Sequence, residues 1–302
     1  MGRLIKAEFR KIVTTKLWLG LLLTALVVAL LWAWMWSSAF DEIARDINRD
    51  LRRYAAVDLN DLSVNAIFLT RAINIATIFP MIFGGMALAV EIGRKTITTS
   101  FLTAPNRGTL LGAKAITYVL WGAIFGVVII LGASLGLLFG VGGEGMVDGE
   151  MWITIAASGL LSCVLWTLLG LGVGALIGSS VGTVVVLLVY GLLVGPGMDM
   201  TFAAISASNS EEIGPTVAGA FPNGAANGIT GAAAASNIVG ELEDMAGGTL
   251  PEEIVDRASS LLRFGAGALG SFGWGASVAI FLGWVLLFFG LGLARTYQRD
   301  IT

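Results

Sequence analysis

The 302-residue sequence contains no histidine, a single cysteine and six prolines, and only 13% of its residues are charged. Each scarcity excludes something. Without histidine there is no Ser-His-Asp triad, no HExxH zinc site and no imidazole-based metal cage. The one cysteine, Cys163, cannot form an intrachain disulfide, and inside an apolar run it reads as a quiet buried thiol. So few prolines do not make a disordered Pro/Gly chain. No GxxxxGK[ST] segment occurs, so the chain has no Walker A nucleotide site, and no early strand-glycine-helix signature of a dinucleotide fold is visible. A soluble domain carries about 25% charged residues, roughly twice the share found here.

What replaces charge is hydrocarbon. Hydrophobic residues make up 56% of the chain, with 41 glycines and 9 tryptophans, both types frequent in membrane helices and at their interfaces. Mean hydropathy is +0.84. The run LWLGLLLTALVVALLWAWMW, residues 17–36, is twenty residues without a charge. At about 1.5 Å per residue it crosses a hydrocarbon core of roughly 30 Å. The Ser37-Ser38-Ala39 sequence imitates a leader cleavage site, but a leader's apolar core runs only about 7–15 residues. Further uncharged runs cover 72–90, 115–143, 151–198 and 264–294. The run 151–198 is too long for one helix, and Gly and Ser crowd together at 177–182. The sequence therefore predicts an all-α, polytopic membrane protein of one transmembrane domain with six spans, at 17–37, 72–90, 115–139, 152–177, 180–198 and 264–290.

Charge orients these spans. With both termini cytoplasmic, the inner segments 1–16, 91–114 and 291–302 hold eleven of the eighteen basic residues and three of the twenty-one acids. That is net +8 inside against net −11 outside, in the direction the positive-inside rule favours. The turn at 177–182 has no basic anchor; if 151–198 were one span plus a re-entrant piece, the C-terminus would lie outside. None of the expected spans carries a charge at its middle, and Glu91 and Asp199 sit at ends. Ion-coupled pumps and channels commonly need such a charge, so this favours energy supplied from outside the membrane or an apolar or amphipathic cargo.

Four connecting segments carry pattern. Residues 1–16 form a basic amphipathic helix, with Ile5, Phe9, Ile12 and Val13 on one face and Arg3, Lys6 and Arg10 on another. It is a positive anchor for the first span, a helix lying in the membrane surface, or both. The loop 38–71 has helical spacing at Ile43, Ile47, Leu51 and Tyr54, with Asp41 and Arg45 as an i,i+4 pair. The region 199–263 contains PNGAANGITGAAAASN, which reads as loop or as short close-packed helices, and Thr249-Leu-Pro-Glu252 fits a helix-starting capping box. The segment VEIGRKTITTSFLTAPNRGTLLGAK, residues 90–114, places one acid, four bases and five threonines between two apolar runs. Glu91, Arg94, Lys95 and Thr98 share a helical face, Pro105 and Gly108 break the helix, and Asn106 and Arg107 lie between them. It is an ordinary basic loop or a docking surface for a cytosolic partner. Within the spans, Gly122 and Gly126, and Gly170, Gly174 and Gly178, recur every four residues and read as helix-packing faces.

The opening MGRLIKAEFRKIVTTKLWLGLLL and the segment 90–114 together resemble the permease subunits of export-type (type-two) ABC transporters. The residues that carry the resemblance in the second segment are Glu91, Gly93, Arg94, Thr96, Thr98, Thr99, Pro105, Arg107 and Lys114. The resemblance implies a bacterial inner-membrane protein that pairs with a second permease chain, identical or homologous, and receives a separate cytosolic ATPase. ATP and Mg would be bound by that partner, no cofactor by this chain, and catalysis would be none of its own. Glu8, Phe9, Arg10 and Lys11 with Glu91, Arg94, Thr98 and Arg107 would form the ATPase-coupling surface. Region 199–263 would partly re-enter the membrane, cap the outer gate or hold an outer accessory protein. Lipids are the other expected partners, and nucleic acid is not. The competing readings are a secondary transporter or channel, a membrane assembly subunit, and an intramembrane enzyme using Ser158 or Ser162, which lack a histidine to activate them.

Overall fold

The computed structural model describes residues 1–51, 63–103, 105–142, 146–209, 213–245, 262–268 and 272–298. They are helical throughout, and six helical segments are long and apolar enough to cross a membrane: Leu17–Phe40, Asn65–Gly93, Arg107–Val141, Gly149–Ile177, Ser180–Phe202 and Trp274–Gln298. The second and fourth are the most enclosed; the first, fifth and sixth line the outside.

Helix α1 (Gly2–Thr14) stops at Thr15, which is extended and donates its hydroxyl to the Ile12 carbonyl at 2.8 Å. Helix α2 (Leu17–Leu51) then leaves in a new direction. The expected break after residue 37 is absent: Ser37 and Ser38 donate to the Ala33 and Trp34 carbonyls, each at 2.7 Å, so two polar residues pass through the helix with their hydroxyls satisfied. Of the expected outer helix, Tyr54 lies outside the described residues.

The second span is built from α3 (Asn65–Ala76) and α4 (Ile78–Gly93), joined at Thr77. Pro80 has no N–H to offer the Ala76 carbonyl, which explains the hitch. This span begins seven residues before the expected 72, and so it takes in Arg71. The sequence placed Arg71 in a loop because a charge ends an apolar run; here it faces protein and is tolerated. Helix α5 (Ile97–Thr103) is short, and α6 (Arg107–Val141) forms the third span.

Helix α7 (Gly149–Ile177) is the centre of the bundle. It lies against α4 so closely that a Cβ on Gly84 would sit 1.9 Å from the Thr167 carbonyl oxygen, and one on Gly170 or Gly174 would sit 2.0 Å from those of Met81 and Gly85. Against α6 the closest points are Gly122, beside Thr167 and Val164, and Gly126, beside Leu160. Gly178 does something else. It ends α7 in the left-handed conformation, φ +70°, which glycine adopts at least cost. Ser179 then caps α8 (Ser180–Val189), its Oγ accepting from the Gly182 amide.

A π-helical turn, Tyr190–Val194, connects α8 to α9 (Gly195–Asn209), and the fifth span runs through all three. Helix α10 (Ile213–Ala220) returns, and α11 (Pro222–Met245) runs back out. The Gly/Ala/Asn segment is thus one long helix, its small residues allowing close approach: Gly224 abuts the Ala218 carbonyl and Gly231 the Ala266 carbonyl. Trp284, in the middle third of α12 (Trp274–Gln298), donates its indole N–H to the Ala220 carbonyl at 2.8 Å. The turn between α10 and α11 therefore dips alongside the sixth span. The capping box at 249–252 lies outside the described residues. The sixth span starts at Trp274, ten residues after the expected 264, because residues 262–266 form a separate helical turn closed by Gly267 at φ +76°. Its far end comes back to the α1 end of the bundle, where Arg107 donates to the Tyr297 carbonyl at 3.1 Å.

Candidate functional site: a buried ion network joining three helices

The amphipathic pattern of α1 puts Glu8, Phe9 and Ile12 on the side turned to the bundle. Phe9 stacks on Trp121 of α6, ring centroids 5.3 Å apart, and Trp121 also meets Trp18 and Phe83 at 5.2 and 5.6 Å. Beside this aromatic cluster lies a set of charges. Lys114 of α6 is fully buried, and its ammonium donates to Glu8 Oε2 at 2.5 Å and to Glu91 Oε1 at 2.9 Å. Lys11, half-exposed, donates to the same Glu91 oxygen and lies 3.9 Å from Glu8. Two carboxylates thus meet two ammonium groups, drawn from α1, α4 and α6. Removing an ion from water costs several kcal/mol, and only good geometry with mutual pairing offsets it. The network therefore fastens α1 to the two spans in one arrangement.

A cavity of about 420 Å³ opens beside it, lined by Lys11, Lys16, Met86, Arg94 and Tyr118 as well as by the network. Glu91 Oε2 is buried there and accepts from no group among the described residues.

Helix α4 ends nearby. The Thr96 amide bonds back to the Glu91 carbonyl at 2.9 Å and the Lys95 amide to Ile92 at 3.1 Å, a Schellman closure with Lys95 at φ +58°. That conformation costs a non-glycine residue about 1 kcal/mol. Lys95→Gly is expected to stabilise the protein by up to about that amount, read as a higher apparent melting temperature in detergent. An unchanged or lowered value would show that the lysine side chain compensates for its backbone. Asn106 then caps α6, its Oδ1 accepting from the Thr109 amide and hydroxyl, both at 2.7 Å.

Of the eight residues expected to form a coupling surface, the structure brings Glu8, Lys11 and Glu91 together and stacks Phe9 beside them. Arg10 and Arg94 are exposed, and Thr98 is half-buried on α5. Arg107 is engaged within the protein: besides Tyr297, it lies over the Phe101 ring at 5.3 Å. Lys114, which the sequence names among the residues carrying the resemblance but not in the coupling surface, is the buried centre of the network. Of the two candidate serines, Ser158 accepts from the Trp274 indole at 3.1 Å, and Ser162 is buried with no hydrogen-bond partner among the described residues. Among the described residues no group of three or more His, Cys, Asp or Glu side chains could hold a metal ion.

No protein-family model and no curated protein matches this chain. The structure is that of a polytopic all-helical membrane protein with six spans, consistent with a role in transport.

Proposed function

We propose that this chain is the membrane-spanning permease subunit of an ATP-driven exporter, working as a pair of chains and driven by a separate cytosolic ATPase. The α1 end, where the basic residues concentrate, faces the cytoplasm. The observation that carries this reading is the ion network around Lys114. It ties an amphipathic helix to two spans at once, so a push applied at α1 reaches the bundle as a displacement of both. Small shifts become discrete rearrangements because packed helices are bistable rather than continuously deformable. Arg94, exposed beside the 420 Å³ cavity that also holds the Glu91 oxygen with no partner among the described residues, is the charge best placed to meet a partner.

Purification from the source cells in mild detergent is expected to bring down a nucleotide-hydrolysing subunit. Arg94→Glu should reduce the ATPase stimulation by this chain about tenfold, equivalent to ~1.4 kcal/mol, with membrane insertion unchanged. Arg107 is unsuited to this test, since its replacement also breaks contacts to α5 and α12. Co-purification of no ATPase, or full stimulation by Arg94→Glu, would remove the reading.

A second reading, a secondary transporter, is favoured by one observation: Arg71 and Asp199 lie within spans and line a common cavity. Uptake or efflux driven by an ion gradient in vesicles holding this chain alone would decide for it.

A further inference from the structure

At the end of the bundle opposite α1, a cavity of about 340 Å³ lies between α2, the second span, the fifth span and the start of α11. One wall is apolar, made by Trp32, Ile78, Met81, Trp166 and Leu192. The other is strongly polar. Arg71 is fixed there by donating Nε to the Gly265 carbonyl at 2.6 Å and Nη2 to that of Phe264 at 2.9 Å. Gly267 makes room for it: a Cβ at that position would lie 2.4 Å from Arg71 Nη1. Asp199 is fixed across the cavity. Its Oδ2 accepts from Asn223 at 2.5 Å and from Asn227 at 3.2 Å, both on the first turns of α11.

The guanidinium and the carboxylate share this cavity, yet no ion pair within 4.0 Å joins them. Opposite charges in a poorly hydrated site attract strongly and would ordinarily pair. Here each is held in place by neutral groups, and neither Arg71 Nη1 nor Asp199 Oδ1 has a hydrogen-bond partner among the described residues. A third group points the same way. Asn74 Nδ2 is buried at the cavity wall and donates to nothing among the described residues, which leaves a desolvated donor unmet. The wall itself includes Gly191 and Leu192 of the π-helical turn. Such turns inside helices are frequent at functional sites.

We propose that this cavity binds a zwitterion bearing an apolar group. Its ammonium would pair with Asp199, its oxyanion with Arg71 and the Asn74 amide, and its apolar part would lie on Trp32, Met81 and Trp166. Separated fixed charges match a separated pair of charges on a ligand, and they disfavour a simple anion, which would meet Asp199, and a simple cation, which would meet Arg71. The volume is at the lower end of small-ligand pockets, about 300–1,000 Å³, so the head and the first part of a tail fill it. Two sources offer this chemistry: the head of a zwitterionic phospholipid, and a free small zwitterion.

The test uses the full chain alone in detergent and follows binding by intrinsic tryptophan fluorescence and by native mass spectrometry. No ATPase is present, so the outcome is independent of the exporter reading. The probes are dihexanoyl-phosphatidylethanolamine, dihexanoyl-phosphatidylglycerol as its anionic counterpart, and phosphoethanolamine without chains. The expected result is at least tenfold tighter binding of the ethanolamine lipid than of the glycerol lipid, with Asp199→Asn abolishing that preference. Asn74→Ala should weaken the ethanolamine lipid severalfold. Its fold is protected because Thr230, which donates to Asn74, also reaches the Ala226 and Asn227 carbonyls. Binding of phosphoethanolamine itself would assign the site to free zwitterions, and binding only with chains would assign it to lipid. Equal affinity for the two lipids, a preference that survives Asp199→Asn, or no saturable binding of any probe would overturn the proposal.

Discussion

Lys114→Met is expected to destabilise the protein by about 3–5 kcal/mol, the usual result of stripping a buried ion pair of one partner. The reason lies in what remains. Glu8 and Glu91 would face each other beside the Phe9–Trp121 stack with only Lys11 to neutralise them, and Lys11 is half in solvent. The cheapest relief is for α1 to swing away, carrying Glu8 into water. The variant should therefore show a lower apparent melting temperature and a protease-sensitive site at Thr15, where the chain is already extended. Two comparisons separate this from a general loss of packing. Lys11→Met removes an exposed partner and should cost no more than about 1 kcal/mol. The combination Glu8→Gln, Glu91→Gln, Lys114→Met removes charge from both sides and should recover most of the loss, because a neutral cluster pays no ionic desolvation. If Lys114→Met melts with the wild type, the network is not what holds α1.

The network also shows where sequence reading stops. Hydropathy locates the six spans because twenty uncharged residues have few other uses, and the Gly-Ser cluster at 177–182 marks the reversal because glycine supplies the left-handed residue the turn requires. The face of α1 is likewise visible as a helical period. Pairing is not. Glu8 and Lys114 lie 106 residues apart, and nothing in either neighbourhood names the other. A charge at the edge of an apolar run is read as the end of a span, which is how Lys114 falls just before the expected third span and Arg71 just before the expected second. In both cases the charge lies inside the helix, and its partners come from elsewhere in the chain. Helix α11 was obscure for a related reason. Gly and Asn are poor formers of isolated helices and interrupt the alanines, and close packing against α3, α7 and α12 makes the small size of all three an advantage.

Close packing supplies the second large effect. Gly170→Ala should disrupt the bundle although it adds only one methyl group. That methyl would sit 2.0 Å from the Met81 carbonyl oxygen and 3.0 Å from the Gly85 nitrogen. Both neighbours are backbone of α4, so no side chain can rotate away, and the two most enclosed spans would have to move apart along their length. Overpacking of this kind costs about 1–3 kcal/mol in cores able to yield, and more where backbone must shift. The variant should lose its single monodisperse peak on size exclusion or give far less protein. Gly290→Ala, on the exposed side of α12, is the matched control. A Cβ there meets nothing within 4 Å, and alanine favours the helix by about 1 kcal/mol, so this variant should be as stable as the wild type or slightly more so. The contrast turns on geometry alone, since both changes put the same residue into a membrane helix. Equal behaviour of the two variants would mean that α4 and α7 are not held at backbone contact, and the bundle described here would need a different centre.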